Sequence, residues 1–160
     1  MNLGDLLVIA ERLFGLPAEQ WARKISLADA EATLAAPFAG PGELDLYPDP
    51  VDQAAICGSR FISSRLFPVG NELVGYECMR EMLERAECPW PGPRGDAEEV
   101  KRLAAGTTSE AGFVRWVHSR VELGERLGQK ADGAVERWLG EAGEAEDEGR
   151  GAGGGEAVEG

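Results

Sequence analysis

The sequence predicts an all-α protein: a compact helical domain over residues 1–123, a marginal helix or linker over 124–140, and a disordered acidic tail over 141–160. Three observations carry this. Apolar residues recur at spacings of three and four through most of the first 121 positions. No segment alternates well enough to make a central strand. The apolar stretches are bounded by residues that start and stop helices. A chain of 160 residues has room for one domain around a single core.

Leu3, Leu6, Leu7, Ala10, Leu13 and Phe14 form the first stripe, with Asn2 as its N-cap and Gly15 as its stop. Ser26 and Asp29 open a second helix that Pro37 ends. Residues 37–48 hold three prolines and two glycines and read as an irregular loop or a small β-like flap. Asp49 then caps a helix with Pro50 in its first position. Ala54, Ala55, Ile56, Cys57, Phe61 and Ile62 make that helix apolar on nearly every side, as a central buried helix must be.

Pro68 and Gly70 interrupt the pattern, and a helix resumes at Asn71, its expected N-cap, with Leu73, Tyr76, Met79, Met82 and Leu83 inward. The run Cys88-Pro89-Trp90-Pro91-Gly92-Pro93 breaks the chain again, as a rigid corner packed on the core. A short helix spans Asp96 to Ala105, ended by Gly106. Thr107 with Glu110 has the spacing of a capping box for a last regular helix carrying Phe113, Val114, Trp116, Val117 and Val121. Trp21 and Trp116 are expected core anchors. His118, the lone histidine, is expected to be structural.

The net charge is −13, and the last twenty residues, with seven acids against Arg150, account for −6 of it. Glycine and glutamate dominate that tail, which lacks the apolar surface to offset the entropy of ordering. An acidic chain disfavours nucleic acid and favours a basic protein partner. Cys57, Cys78 and Cys88 form no CxxC pair, so no metal site is expected and reduced thiols in a cytoplasmic setting fit. The N-terminus lacks the basic region of a signal peptide, and no apolar run nears the roughly 20 residues that span a bilayer.

Between the two most helical segments lies Arg65-Leu66-Phe67-Pro68-Val69-Gly70-Asn71-Glu72-Leu73. This stretch resembles the catalytic loop of the Fic/Doc (Fido) family, whose members transfer AMP or phosphate from a nucleotide to a protein hydroxyl. The Doc form of the motif reads histidine, proline, phenylalanine, any residue, aspartate, glycine or alanine, asparagine, lysine, arginine. Phe67, Gly70 and Asn71 match the positions that shape the loop. Around it, Glu43 to Asp49 is similar to the Doc flap and helix entry. Ala54-Ala55 with Ser59-Arg60 is similar to the helix before the loop, and Tyr76 to Glu81 to the helix after it. Ala104 to Val117 is similar to the C-terminal helices. The likeness covers about residues 3–121.

The chemistry-bearing positions depart from the pattern. The resemblance implies a base at 65, where arginine stays protonated to about pH 12 or beyond and offers no proton acceptor. It implies a magnesium-binding acid at 69, where Val69 has no oxygen ligand. It implies phosphate-binding cations at 72 and 73, where Glu72 repels phosphate and Leu73 is uncharged. The further arginine of some relatives falls at Tyr76. ATP and magnesium, the family's cofactors, are therefore not expected here. Gly70 and Asn71 remain as the anion loop, because a helix start presents unpaired N–H groups.

Three functions follow from these residues. The first is a Doc-like toxin-type protein turned pseudoenzyme, binding an antitoxin or other protein in a groove formed by residues 38–47 and 65–72. The second is an enzyme refitted for another small molecule, with Arg65, Glu72 and Tyr76 converging. The third is a transferase still active through other residues. Oligomeric state is left open by the sequence.

Overall fold

Helix capping explains most of the architecture. The computed structural model describes residues 1–42, 44 and 46–151, with side chains as far as residue 143. Among these, seven α-helices and no strand occur: α1 (Leu3–Phe14), α2 (Ala18–Lys24), α3 (Leu27–Ala35), α4 (Pro50–Ile62), α5 (Asn71–Arg85), α6 (Asp96–Ala104) and α7 (Glu110–Gly151). Asn2 accepts from the Asp5 N–H while Asp5 reaches back to the Asn2 N–H, and Gly15 ends α1 in the left-handed region. Ser26 caps α3 and Asp49 caps α4, each through its side chain.

The central element is the antiparallel hairpin of α4 and α5. Gly58 and Gly75 let the two backbones approach closely. A methyl on Gly75 would lie 2.7 Å from the Gly58 carbonyl oxygen, and one on Gly58 would meet Met79 at 2.8 Å. The hairpin separates two apolar clusters rather than enclosing the single core expected from length. On one side Leu6, Ile9, Trp21, Ala30 and Leu34 pack against Cys57, Phe61, Val74 and Cys78. On the other, Val100, Leu103, Phe113, Val117 and Val121 pack against Ala54, Ala55, Ile62, Met79 and Leu83. Each of the two hairpin helices therefore has apolar residues on opposite faces, which is why α4 reads as apolar all round.

Several expectations are corrected. Helix α2 was hidden by its shortness, with only Trp21 buried. The flap contains no strand among the described residues; it starts with a 3₁₀ turn at Ala36–Phe38. Leu73 is exposed rather than inward, the buried stripe of α5 being Val74, Gly75, Cys78, Met79 and Leu83. Trp116 is half-buried. The cap of α7 is Ser109, whose hydroxyl accepts from the Gly112 N–H, while Thr107 donates to the Arg102 carbonyl. Residues 124–140 are helical and continue α7 without a break. That helix also continues through the first part of the expected disordered tail, to Gly151. Each added residue extends an existing ladder by one hydrogen bond, so elongation is easier than nucleation. Residues 152–160 of the expected tail lie outside the described residues.

Candidate functional site

The loop between α4 and α5 is held from three directions. Phe67 is 2% exposed. Its ring lies edge-on to Trp21 at 5.5 Å, and Trp21 in turn contacts Phe14 at 5.5 Å. Gly70 takes φ +78°, and a methyl there would lie 2.3 Å from the Phe14 ring, so glycine is required twice over. Asn71 closes the loop with a two-way clasp: the Phe67 N–H donates to its Oδ1 at 2.8 Å, and its Nδ2 donates to the Phe67 carbonyl at 2.9 Å. Ser64 donates to the Phe61 carbonyl and receives the Leu66 N–H, finishing the turn out of α4.

Asn71 was expected as the N-cap of α5. Instead Gly70 holds that position with no side-chain cap, and Asn71 is the first helical residue. The reason is local: the Asn71 amide is turned back onto the loop, bonded to both the N–H and the carbonyl of Phe67, and so points away from the N–H groups of its own helix. The first turn of α5 thus has no side-chain acceptor, the arrangement that receives anions elsewhere.

That helix end borders a hollow of about 490 Å³, lined by Ser63, Ser64, Arg65, Gly70, Asn71 and Glu72, with Ile62, Leu73 and Ala104 completing it. Four of the five sequence-derived site residues, Arg65, Gly70, Asn71 and Glu72, therefore share one space. Arg65 and Glu72 are both exposed and put opposite charges at its edge. Val69 is 63% exposed and brings no oxygen. No described flap residue lines the hollow. Tyr47, near the end of the flap, is tied to α4 instead, its carbonyl accepting from Gln53 Nε2.

Tyr76 does not join that group. It lines a second hollow of about 260 Å³ with Pro93, Ala97 and Val100, Glu72 and Leu73 being common to both. Its hydroxyl donates to Asp96 Oδ2 at 2.5 Å, and Trp90 Nε1 donates to the same oxygen at 2.8 Å. Burial first, and the Asp96 carboxylate second, push the Tyr76 phenol above its ordinary range. A phenol held neutral in this way is a poor base.

Sequence reasoning placed Asp96 at a helix start but did not see it as the centre of a network. It is 3% exposed and gathers the corner after α5 onto the core. Arg120 Nη2 lies 3.2 Å from its other oxygen and also donates to the Gly92 carbonyl at 2.7 Å. Arg80 stacks over Trp90 at 4.8 Å. Only the helix-start position of Asp96 was visible in sequence; its partners come from residues 76, 90 and 120.

His118 lies elsewhere, on α7, and donates to Asp52 Oδ1 at 2.6 Å. Asp49, Asp52 and His118 bring ligand-type atoms within 4.8 Å of one another. Local structure accounts for all three: Asp49 caps α4 through the Val51 N–H, Asp52 is an acid in the first turn, and His118 ties α7 to it. Cys57 and Cys78 are buried and free, and burial pushes the Cys57 thiol up to about 12 and Cys78 higher still. Inert core thiols result.

Fold and site together define an all-helical protein with a pinned loop between two central helices, opening on a hollow of mixed charge. No family model, curated protein or solved structure matches the chain. No helix among the described residues is long and apolar enough to cross a membrane.

Proposed function

We propose that the chain is a Doc-like, Fido-type protein that acts by binding a partner protein and does not transfer a nucleotide. The single observation that supports this most is the content of the hollow under Gly70 and Asn71: Arg65 and Glu72 at its edge, Val69 exposed beside it, and no histidine lining it. A loop held by three separate anchors surrounds a space in which Arg65, Val69, Glu72 and Leu73 stand where the resemblance implies a histidine base, a magnesium-binding acid and two phosphate-binding cations. Losing one catalytic donor costs about two to three decades in rate, and several are absent together. Arg65 and the open helix end suit a carboxylate of the partner, and exposed Val69 and Leu73 suit its apolar side chains. An antitoxin-type segment in a cytoplasmic setting fits this chemistry, as does a basic protein drawn by the overall charge of −13.

Calorimetry of the full chain with ATP and magnesium tests the reading. No heat of binding is expected. Micromolar, magnesium-dependent ATP binding overturns it, as does label transfer from ATP to a protein hydroxyl.

One observation favours a second reading, binding of a small molecule. The slot beside Tyr76 has apolar walls from Leu73, Pro93, Ala97 and Val100. It does not bring Tyr76 together with Arg65, so an acid–base pair of those two is not part of this reading. Saturation-transfer NMR with indole-sized probes tests it, and absence of any transfer removes it.

A further inference from the structure

Acids at the start of α4 are ordinary, because the helix dipole favours them there. The imidazole beside them is not supplied by that helix. Asp49 and Asp52 stand in the cap and first turn of α4, whereas His118 comes from α7, 66 residues beyond Asp52 in the chain. The two helices run antiparallel, with Arg60 on Glu110 at one end and Asp52 on His118 at the other. The local roles of these side chains use one atom each. Asp49 Oδ1 accepts from the Val51 N–H at 2.8 Å, and Asp52 Oδ1 meets His118 Nε2 at 2.6 Å. The second oxygen of each carboxylate has no partner among the described residues, and no lysine or arginine among them pairs with either acid. Glu122, one turn beyond His118 on α7, is exposed and adds to the negative charge.

We propose that Asp49, Asp52 and His118 bind a divalent transition-metal ion of the zinc type, which joins the start of α4 to α7. The donor set selects the ion. One imidazole nitrogen with two carboxylate oxygens suits zinc and its neighbours, whereas magnesium and calcium take oxygen alone. The geometry is close to what such an ion needs. Ligand-type atoms of the three residues lie within 4.8 Å of one another. An ion holding them at about 2.0–2.2 Å in a tetrahedron sets them roughly 3.4 Å apart. Small side-chain rotations reach that spacing, Asp52 and His118 opening to admit the ion and Asp49 closing on it. The cap bond from the Val51 N–H already orients the Asp49 carboxylate, as hydrogen bonds to ligating carboxylates do at metal sites. Three protein ligands leave the fourth position to water. The ion also neutralises two acids that otherwise share one imidazole. The cysteine spacing that argued against a metal site says nothing about ligands gathered from two helices so far apart in the chain.

Calorimetric titration of the metal-free full chain with zinc tests the proposal, in a Cys88→Ala background so that the accessible thiol supplies no heat. One ion per chain with a micromolar Kd is expected, together with a raised thermal transition, because the ion binds the folded chain. Asp49→Asn keeps a good helix cap while removing the ligand charge. That variant and His118→Gln should each raise the Kd at least about tenfold with unchanged helical circular dichroism. His118 is the lone histidine, so its ring signals in proton NMR should shift or broaden on addition of cobalt, and excess magnesium should not reverse the change. Absence of zinc binding overturns the proposal. So does binding that survives both substitutions, which places the ion on the acidic tail, or displacement of zinc by equimolar magnesium, which marks a diffuse acidic surface.

Discussion

Asn71 and Phe67 exchange two hydrogen bonds, side-chain oxygen to backbone N–H at 2.8 Å and side-chain nitrogen to backbone carbonyl at 2.9 Å. This clasp fixes the turn whatever chemistry the hollow performs. Asn71→Ala is expected to destabilise the protein by about 2–3 kcal/mol, since it leaves two partly buried backbone groups without partners. Asn71→Asp keeps the acceptor, loses the donor, and should cost less. Urea denaturation of both variants checks the order; equal costs would show that the Phe67 carbonyl bond contributes nothing.

The Gly58–Gly75 contact sets the spacing of the hairpin. Gly75→Ala brings a methyl to 2.7 Å from both the Gly58 carbonyl oxygen and the Ile62 backbone nitrogen, and neither can move without shifting α4. A loss of about 1–3 kcal/mol is expected, well beyond the gain alanine brings to an open helix. Gly133→Ala, where space is open, should be neutral or stabilising. Thermal melts of the two variants distinguish packing from propensity.

Tyr76→Phe removes one of two donors to Asp96 Oδ2 and should cost about 1–2 kcal/mol. Asp96→Ala should cost more, because Tyr76 and Trp90 both lose their acceptor and Arg120 loses its counter-charge. Trp90 fluorescence should shift in the second variant as the indole loses its partner. An unchanged spectrum would mean that the corner is held by its prolines alone.

The buried thiols predict an alkaline limit. Burial raises the folded pKa of Cys57 to about 12 and that of Cys78 further, above the unfolded value of about 8.5. Their contribution is therefore fully present below about pH 8.5 and is lost as pH rises toward the folded values. Unfolding free energy should fall across that window, and Cys57→Ala with Cys78→Ala should flatten the fall. At neutral pH a thiol reagent should label Cys88 alone, and all three cysteines after unfolding.

At the other end of the scale, the Arg85 guanidinium first, and the Asn2 backbone second, hold the Asp5 carboxyl below its ordinary range. That contribution is present above the unfolded carboxylate pKa of about 3.9 and is lost as pH falls through the lower folded value. Because Asp5 is partly exposed, the effect should be small, and Asp5→Asn should flatten the acid side of the stability profile.

Sequence alone determined what short-range chemistry controls. Asn2 with Asp5, Ser26 with Asp29, and Asp49 with Pro50 mark helix starts because capping joins residues at most three apart. Pro68 and Gly70 marked the break between α4 and α5 in the same local way, but the clasp of Asn71 on Phe67 was not legible, because an asparagine before a helix reads as its N-cap. Tertiary structure alone decided the rest, since each remaining feature joins residues far apart in the chain. Gly58 meets Gly75 across two helices, the Phe14 and Trp21 rings support Gly70 and Phe67, and Asp96 collects Tyr76, Trp90 and Arg120. The separation of Tyr76 from Arg65 followed from that last network: a carboxylate removed from water takes whichever donors the packing supplies, and no local pattern records which those will be.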